Sequence, residues 1–193
     1  DVMDLFIRDT QLNISARYLR PGGPFGGSCL PKDTRSIRHL STSRGLQLPM
    51  IGSCEESNQA HFAYIIDRIH AHYPQRLAIL GLAFKRDTDD IRESPTVEIL
   101  YRLATRGGIE LRVHDFLVRP ESAVGVNQRL LEKLIALPAI FFSNQAAEVL
   151  VDADLVVVMH PDERYDRIAA DLAVPVLNVA RWEGMAPASL ASR

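Results

Sequence analysis

The residues whose types and spacing could do chemistry crowd between Pro21 and Asp33, Pro-Gly-Gly-Pro-Phe-Gly-Gly-Ser-Cys-Leu-Pro-Lys-Asp, which takes four of the eleven glycines and three of the eleven prolines. Such a backbone turns tightly, because Gly supplies φ > 0 and Pro fixes φ near −65°. Beyond Cys29 the pattern is helical, and Pro31 suits a first helical position, where its missing N–H would have had no partner. Cys29 is thus expected at a helix N-terminus. There the helix dipole and the Lys32 ammonium both favour thiolate over thiol, the condition for a nucleophilic cysteine. Asp33 falls one turn on, within reach of a water or oxyanion beside the thiol. The same residues also fit a Gly/Pro turn followed by a small buried cysteine, and this stretch alone leaves both readings open.

A second candidate is the loop Phe84-Lys-Arg-Asp-Thr-Asp-Asp-Ile-Arg-Glu-Ser-Pro95. It follows an apolar run, and in a doubly wound sheet the loop after the first strand is the usual phosphate cradle. It holds no G-x-G-x-x-G and so is not a dinucleotide fingerprint. Lys85 and Arg92 could meet the anionic groups of a sugar nucleotide. Asp87, Asp89, Asp90 and Glu93 neutralise those cations, so a solvated charged loop is the alternative. Gly22 and Gly27 have P-loop spacing, but Ser28 follows where lysine is required. The six histidines form no H-E-x-x-H, no cysteines pair at zinc spacing, and no metal is expected. His70 and His72 read as helix-end residues, and Asp152 and Asp154 as turn chemistry.

These residues need elements to hold them. With 193 residues, 47% of them apolar, the chain can bury a core. A net charge of −2 with mixed signs throughout argues against nucleic acid as a partner. No apolar run approaches a membrane span and no leader is evident, so the chain reads as cytoplasmic, with Cys29 and Cys54 as free thiols. It opens within an apolar helix face and without an initiator methionine, as a fragment would. Helices are expected to about Asp9, from Lys32 to about Arg44, and from Pro49 for about 24 residues. In the last, Ile51, Cys54, Phe62, Ile65, Ile66, Ile69 and Tyr73 recur on one face, with Glu55, Glu56, Asn58 and Gln59 opposite. From Leu77 the pattern becomes strand and helix in alternation. Strands are expected at Leu77–Phe84, Ile109–His114, Ala139–Phe142, Leu155–Met159 and Val174–Val179. The intervening helices run from Pro95 to about Arg106, capped by Ser94 and closed by Gly107-Gly108, through part of 116–137, over Ala146–Val151 capped by Asn144, and over Asp162–Asp171. The fold class is therefore α/β: a helical linker and dimerisation domain, residues 1–74, then a doubly wound parallel-sheet, Rossmann-like domain, residues 75–193.

Phe25-Gly-Gly-Ser-Cys-Leu-Pro-Lys-Asp33, followed some fifty residues on by Gly81-Leu-Ala-Phe-Lys-x-x-Thr-Asp-Asp-Ile-Arg-Glu-Ser-Pro95, resembles the nucleotide-sugar 6-dehydrogenases, the UDP-glucose and GDP-mannose dehydrogenase family. The resemblance implies a four-electron oxidation of a sugar C6 alcohol with NAD as cofactor, through a cysteine thiohemiacetal and thioester that water releases as the acid. It makes Cys29 the nucleophile and Asp33 the carboxylate that positions water. Phe25, Gly26 and Gly27 become the loop against the sugar, and Lys85 a sugar-nucleotide contact. Arg92 becomes a pyrophosphate contact, of cofactor or substrate, carried here as cofactor-binding. Tyr18 and Arg20 resemble substrate-binding residues donated across a dimer. Leu30, Asp115-Phe116 and the insertion Asn127–Lys133 lie closer to the GDP-mannose branch, with UDP-glucose as the alternative and UDP-N-acetylmannosamine behind it. A non-catalytic sugar-nucleotide-binding and dimerisation module is the alternative of another class. Gly23-Pro24 before Phe25, and Asn178 where many relatives have Asp, depart from the family pattern. In the family the NAD-binding domain precedes the matched segment, so these residues alone are expected to be inactive. A homodimer through the 50–73 helix is expected from its apolar stripe.

Overall fold

The structure, a computed structural model, describes residues 2–12, 15, 19 and 22–180. Tyr18 and Arg20 lie outside the described residues, as does the tail beyond Ala180. The elements are α1 (Val2–Phe6), α2 (Leu30–Ser43), α3 (Pro49–His70), β1 (Arg76–Leu80), α4 (Pro95–Arg106), β2 (Glu110–His114), α5 (Gly125–Ile135), β3 (Ile140–Phe142), α6 (Ala146–Leu150), β4 (Leu155–Val158), α7 (Glu163–Ala170) and β5 (Val176–Asn178). The five strands form one sheet in the order β3-β2-β1-β4-β5, every pair parallel. This is the doubly wound, Rossmann-like α/β arrangement the alternation implied, with β1 central and the order reversing between β1 and β4.

Strand side chains alternate between two cores, as the period of 2 requires. Leu77 and Ile79 of β1, Leu111 and Val113 of β2, and Leu155 and Val157 of β4 meet Ile99, Leu100 and Leu103 of α4 on one face. Ala78, Leu80, Val156 and Val158 meet Val149 of α6 and Tyr165 of α7 on the other. Phe62, Ile65, Ile66 and Ile69 of α3 join the first core, each burial contributing about 1.5–3 kcal/mol. The middle of the stripe expected to serve a dimer, Phe62 to Ile69, is thus buried within the chain, Phe62 being 5% exposed, while Cys54 and Tyr73 at its ends stay exposed. Among the large apolar side chains left outside, a run close in sequence comprises Ile37 and Leu40 of α2, Leu46 and Leu48 of the following turn, and Met50 of α3, which is 82% exposed.

Local chemistry explains where the elements stop. β1 ends at Leu80 rather than Phe84 because Gly81 takes φ +102° and the N–H groups of Leu82 and Ala83 turn to the Asp115 carboxylate, at 2.7 and 3.1 Å. Ser94 caps α4 as expected, accepting from Thr96 N–H at 3.2 Å and donating to Leu82 O at 2.7 Å. Gly107 closes that helix at φ +73°. Asn144 does not cap α6: its amide goes to Glu121 at 2.9 Å, Gln145 occupies the cap position, and Ser143 Oγ accepts from Gln145 N–H. Among the described residues, no helix is long and apolar enough to cross a membrane.

Candidate active site

Cys29 is the N-cap residue of α2 and is exposed. Leu30 is the first helical residue and Pro31 the second, one place later than the sequence suggested, and its missing N–H is still one of the orphan donors of a first turn. Asp33 N–H donates to Cys29 O at 2.8 Å, which sets the Asp33 side chain on the turn after the thiol. Its carboxylate lies 3.2 Å from Lys32 Nζ, so the ammonium expected to act on the thiol is paired. Ser28 Oγ stands 3.8 Å from Cys29 Sγ.

The loop before Cys29 is held by two distant elements. The carboxamide of Asn58, on α3, accepts from Phe25 N–H and donates to Phe25 O, both at 2.9 Å, and so holds the two peptide groups that flank Phe25. Gly27 N–H donates to Glu93 O at 2.9 Å. A Cβ on Gly26 would stand 2.3 Å from that oxygen and 2.6 Å from Pro95 Cδ, and a Cβ on Gly27, at φ +86°, would stand 2.7 Å from the Phe84 ring. The closeness reserved by these glycines is therefore used by the chain's own β1–α4 loop. The Gly27 N–H, expected to approach a sugar, is taken by Glu93.

That loop presents the second set of expected residues. Lys85 is exposed, its ammonium 5.3 Å from the centroid of the Phe84 ring that packs on Gly27. Arg92 is gripped by Asp90, through Nε at 2.9 and 3.1 Å and Nη2 at 2.7 Å. The pair holds Asp90 below the usual carboxylate range and raises Arg92. Arg92 is thus no bare cation awaiting a pyrophosphate; such a ligand would compete with Asp90. Glu93, at φ +52°, gives its carboxylate to Arg35 of α2, at 2.8 and 3.2 Å. Phe25, Gly26, Gly27, Cys29, Asp33, Lys85 and Arg92 consequently share one region, where α2 begins against the β1–α4 loop.

A cluster at the carboxyl ends of β1, β2 and β4 carries chemistry that the sequence did not reveal. Asp115 accepts from the N–H groups of Leu82, Ala83, Leu117 and Val118, at 2.7 to 3.1 Å, and fastens the β1 loop. His160 packs so close to Gly81 that a Cβ there would lie 2.6 Å from the imidazole. His114 Nδ1 lies 3.1 Å from Tyr165 Oη, Phe116 stacks on Tyr165, and Arg164, tied to Asp162, sits 3.9 Å over Phe116. Burial lowers His114 and His160 below the usual imidazole value and raises Tyr165. The signal available beforehand was the rule that ligand sites follow strand ends, which applies to the residues after β2 and β4 as much as to those after β1.

Among the described residues, nothing fits a dinucleotide cradle. The 193 residues contain no G-x-G-x-x-G, and the N–H groups of Leu82, Ala83 and Phe84, which would line a pyrophosphate, are bonded to Asp115 and to Asp90 O.

Residues 78–180 match the family model described as UDP-glucose/GDP-mannose dehydrogenase family, UDP binding domain, and residues 1–60 match the central domain of the same family. The chain is 36% identical over 169 residues to a GDP-mannose 6-dehydrogenase of Pseudomonas putida, with 88% of the chain and 38% of the relative covered. It is 29% identical over 121 residues to a UDP-glucose 6-dehydrogenase of Bacillus subtilis, with 61% and 26% covered. A ternary complex of GDP-mannose dehydrogenase from Pseudomonas aeruginosa superposes with a TM-score of 0.77 at 34% identity, over 92% of this chain and 41% of that one. The chain spans about two fifths of the length of these GDP-mannose relatives.

Proposed function

The chain belongs to the UDP-glucose/GDP-mannose dehydrogenase family, and from that premise we propose that it is the C-terminal portion of an NAD-dependent nucleotide-sugar 6-dehydrogenase that oxidises GDP-mannose to GDP-mannuronate. In this reading residues 1–74 are the central helical domain and residues 75–193 the sugar-nucleotide-binding domain. GDP-mannose is preferred to UDP-glucose on the likeness to GDP-mannose 6-dehydrogenases over most of this chain.

The observation that carries the reading is the exposed thiol of Cys29 at the N-cap of α2, with Asp33 on the next turn and Lys85 on the loop that packs against Gly27. Sugar oxidation supplies an aldehyde at C6. Cys29 Sγ attacks that carbon, a C–S bond forms, and the thiol proton passes to the aldehyde oxygen, giving a thiohemiacetal. Loss of a second hydride from C6, with the hydroxyl proton passing to water, leaves a thioester. Water positioned by Asp33 adds to the carbonyl carbon, the C–S bond breaks, and the acid departs as the thiol is restored. A thiolate suits both halves of this sequence, being a good nucleophile and a fair leaving group. NAD bound to the parent enzyme supplies the hydride acceptor, and Arg92 is the residue of this chain proposed to reach its pyrophosphate. Lys85 takes the sugar nucleotide, and Arg92 takes a pyrophosphate only by yielding Asp90.

The partner is a second copy. The exposed side chains Ile37, Leu40, Leu46, Leu48 and Met50, on α2, the turn after it and the start of α3, support a dimer surface there, since Phe62, Ile65, Ile66 and Ile69 of α3 are spent on the chain's own core. Tyr18 and Arg20 remain candidates for donation across it.

The test follows NADH absorbance with GDP-mannose and NAD in the full-length parent enzyme, its Cys29→Ser variant and this chain alone. The parent should produce NADH and acid. Cys29→Ser should make no acid while keeping sugar-nucleotide affinity within about twofold, since the thiol serves chemistry more than ground-state binding. The chain alone should make no NADH. Acid from the serine variant at the parent's rate would remove Cys29 from the role.

A further inference from the structure

One residue of the β1–α4 loop grips the chain on both sides of Cys29. Two residues before the thiol, Gly27 N–H donates to Glu93 O at 2.9 Å. Six residues after it, on α2, Arg35 donates to both carboxylate oxygens of Glu93, at 2.8 and 3.2 Å. Glu93 is itself set by a buried frame, for Ser94 beside it is 2% exposed and anchored to Leu82 O at 2.7 Å.

Two features make this more than a surface ion pair. Glu93 holds φ +52°, an unfavourable backbone region for a side chain with a Cβ, and such positions persist only where the surroundings over-determine them. The Arg35 and Glu93 side chains are each nearly half exposed, and an exposed pair adds little to stability. Folding stability therefore does not account for an arrangement that spends the backbone and the side chain of one strained residue on the same short segment. Alignment of that segment does.

We infer that Glu93 is a positioning residue for Cys29, with its carbonyl on Gly27 and its carboxylate on Arg35 fixing the N-terminus of α2 on which the thiol stands. The inference rests on Cys29 being the nucleophile. A thiol that must meet an aldehyde carbon along one approach loses about a hundredfold in rate for a displacement of an ångström, so holding both flanks matters to the chemistry. Loosening the grip adds no access, because Cys29 is already exposed, and takes away the ordered helix end behind it.

The experiment uses the full-length parent enzyme with Arg35→Ala, Glu93→Ala and the double variant. Two quantities are read: the iodoacetamide alkylation rate of Cys29 by mass spectrometry, and kcat and KM with GDP-mannose. Each single variant should slow alkylation about threefold, the scale of a helix-terminus effect. Each should lower kcat on the order of tenfold while KM stays within about twofold. The double variant should be no worse than either single one, because both remove the same contact. Arg35→Ala keeps the test sound should Glu93→Ala fold poorly, since Arg35 lies outside the α4 cap. Unchanged alkylation and kcat in both single variants, or losses that multiply in the double, would overturn the inference. A failure of the nucleophile assignment shows instead in the acid formed by Cys29→Ser, a readout independent of the alkylation series.

Discussion

Replacing Gly26 with alanine tests whether the thiol loop is docked on the β1–α4 loop. The new Cβ would stand 2.3 Å from Glu93 O and 2.6 Å from Pro95 Cδ, a backbone atom and a proline ring at the first turn of α4. Neither can swing aside. The loop must lift instead, giving up the 2.9 Å bond from Gly27 N–H to Glu93 O, worth a net of about 0.5–1.5 kcal/mol. Glu93 is exposed, so its carbonyl can be rehydrated and no buried orphan is left. With some lost packing, a destabilisation of about 1–2 kcal/mol is expected, within the usual range for overpacking. For a chain of this length that lowers the melting midpoint by about 2–8 °C. Gly52→Ala is the control, because on α3 nothing lies within 4 Å of its added Cβ. Alanine there should stabilise by about 0.5–1 kcal/mol and raise the midpoint by about 1–4 °C. The assay is thermal melting by circular dichroism with Cys29 alkylation in parallel. If Gly26→Ala melts with the unaltered chain and alkylates at the same rate, the docked loop is wrong.

Acid should destabilise the chain in a window that begins near pH 6.5. Burial lowers His160 and His114 against the opposing pull of Asp115, so below their ordinary value the unfolded chain takes up protons the folded one refuses, and stability falls until the lowered folded values are reached. Melting from pH 8 to 5 should show the fall, and His160→Gln should flatten it; an unchanged slope in both His160→Gln and His114→Gln would refute the assignment. Both thiols are exposed, so burial does not separate them, but the Cys54 thiol donates to Met50 O at 3.1 Å while Cys29 stands at a helix N-terminus. Limited iodoacetamide should label Cys29 first, and faster labelling of Cys54 would count against Cys29. Leu40→Asp and Met50→Asp should lower the mass seen by light scattering at tens of micromolar towards that of a monomer, with the melting midpoint of each monomer nearly unchanged. A dimer as strong as the parent's in both variants would place the interface elsewhere.

The legible parts of the fold were those written in local pattern. The β1 apolar run, the Ser94-Pro95 start of α4 and its glycine stop each carry their physics within a few residues. The cap of α6 was misplaced because Asn144 and Ser143 both suit a cap, and Glu121, 23 residues earlier, draws the Asn144 amide away. The stripe on α3 was legible as a face but not as a buried one, since periodicity tells which residues share a side and leaves open what covers them. Asn58 was read as part of the polar side of α3. It belongs there by spacing, yet its two bonds reach Phe25, 33 residues back, across a distance no helical pattern records. Asp115 and His160 escaped for the same reason: each stands at a strand end, and its partners arrive only when the sheet assembles.

The two motifs, some fifty residues apart, are informative together because each supplies half of one contact. Gly26 lacks a Cβ where Glu93 O arrives, and Gly27 both donates its N–H to that oxygen and leaves room for the Phe84 ring. In return, Glu93 accepts a left-handed backbone that lets its carbonyl face the glycines while its carboxylate reaches Arg35 on the helix Cys29 begins. Either stretch alone is ambiguous for a physical reason: a Gly-rich turn and a charged loop have no fixed shape until each closes on the other. The glycines of the first motif therefore report on the docking of the thiol loop before they report on a ligand. Under the proposed function, a sugar reaching Cys29 would meet a loop whose closest approaches are already filled, with the thiol, Asp33 and Lys85 among the exposed groups around it.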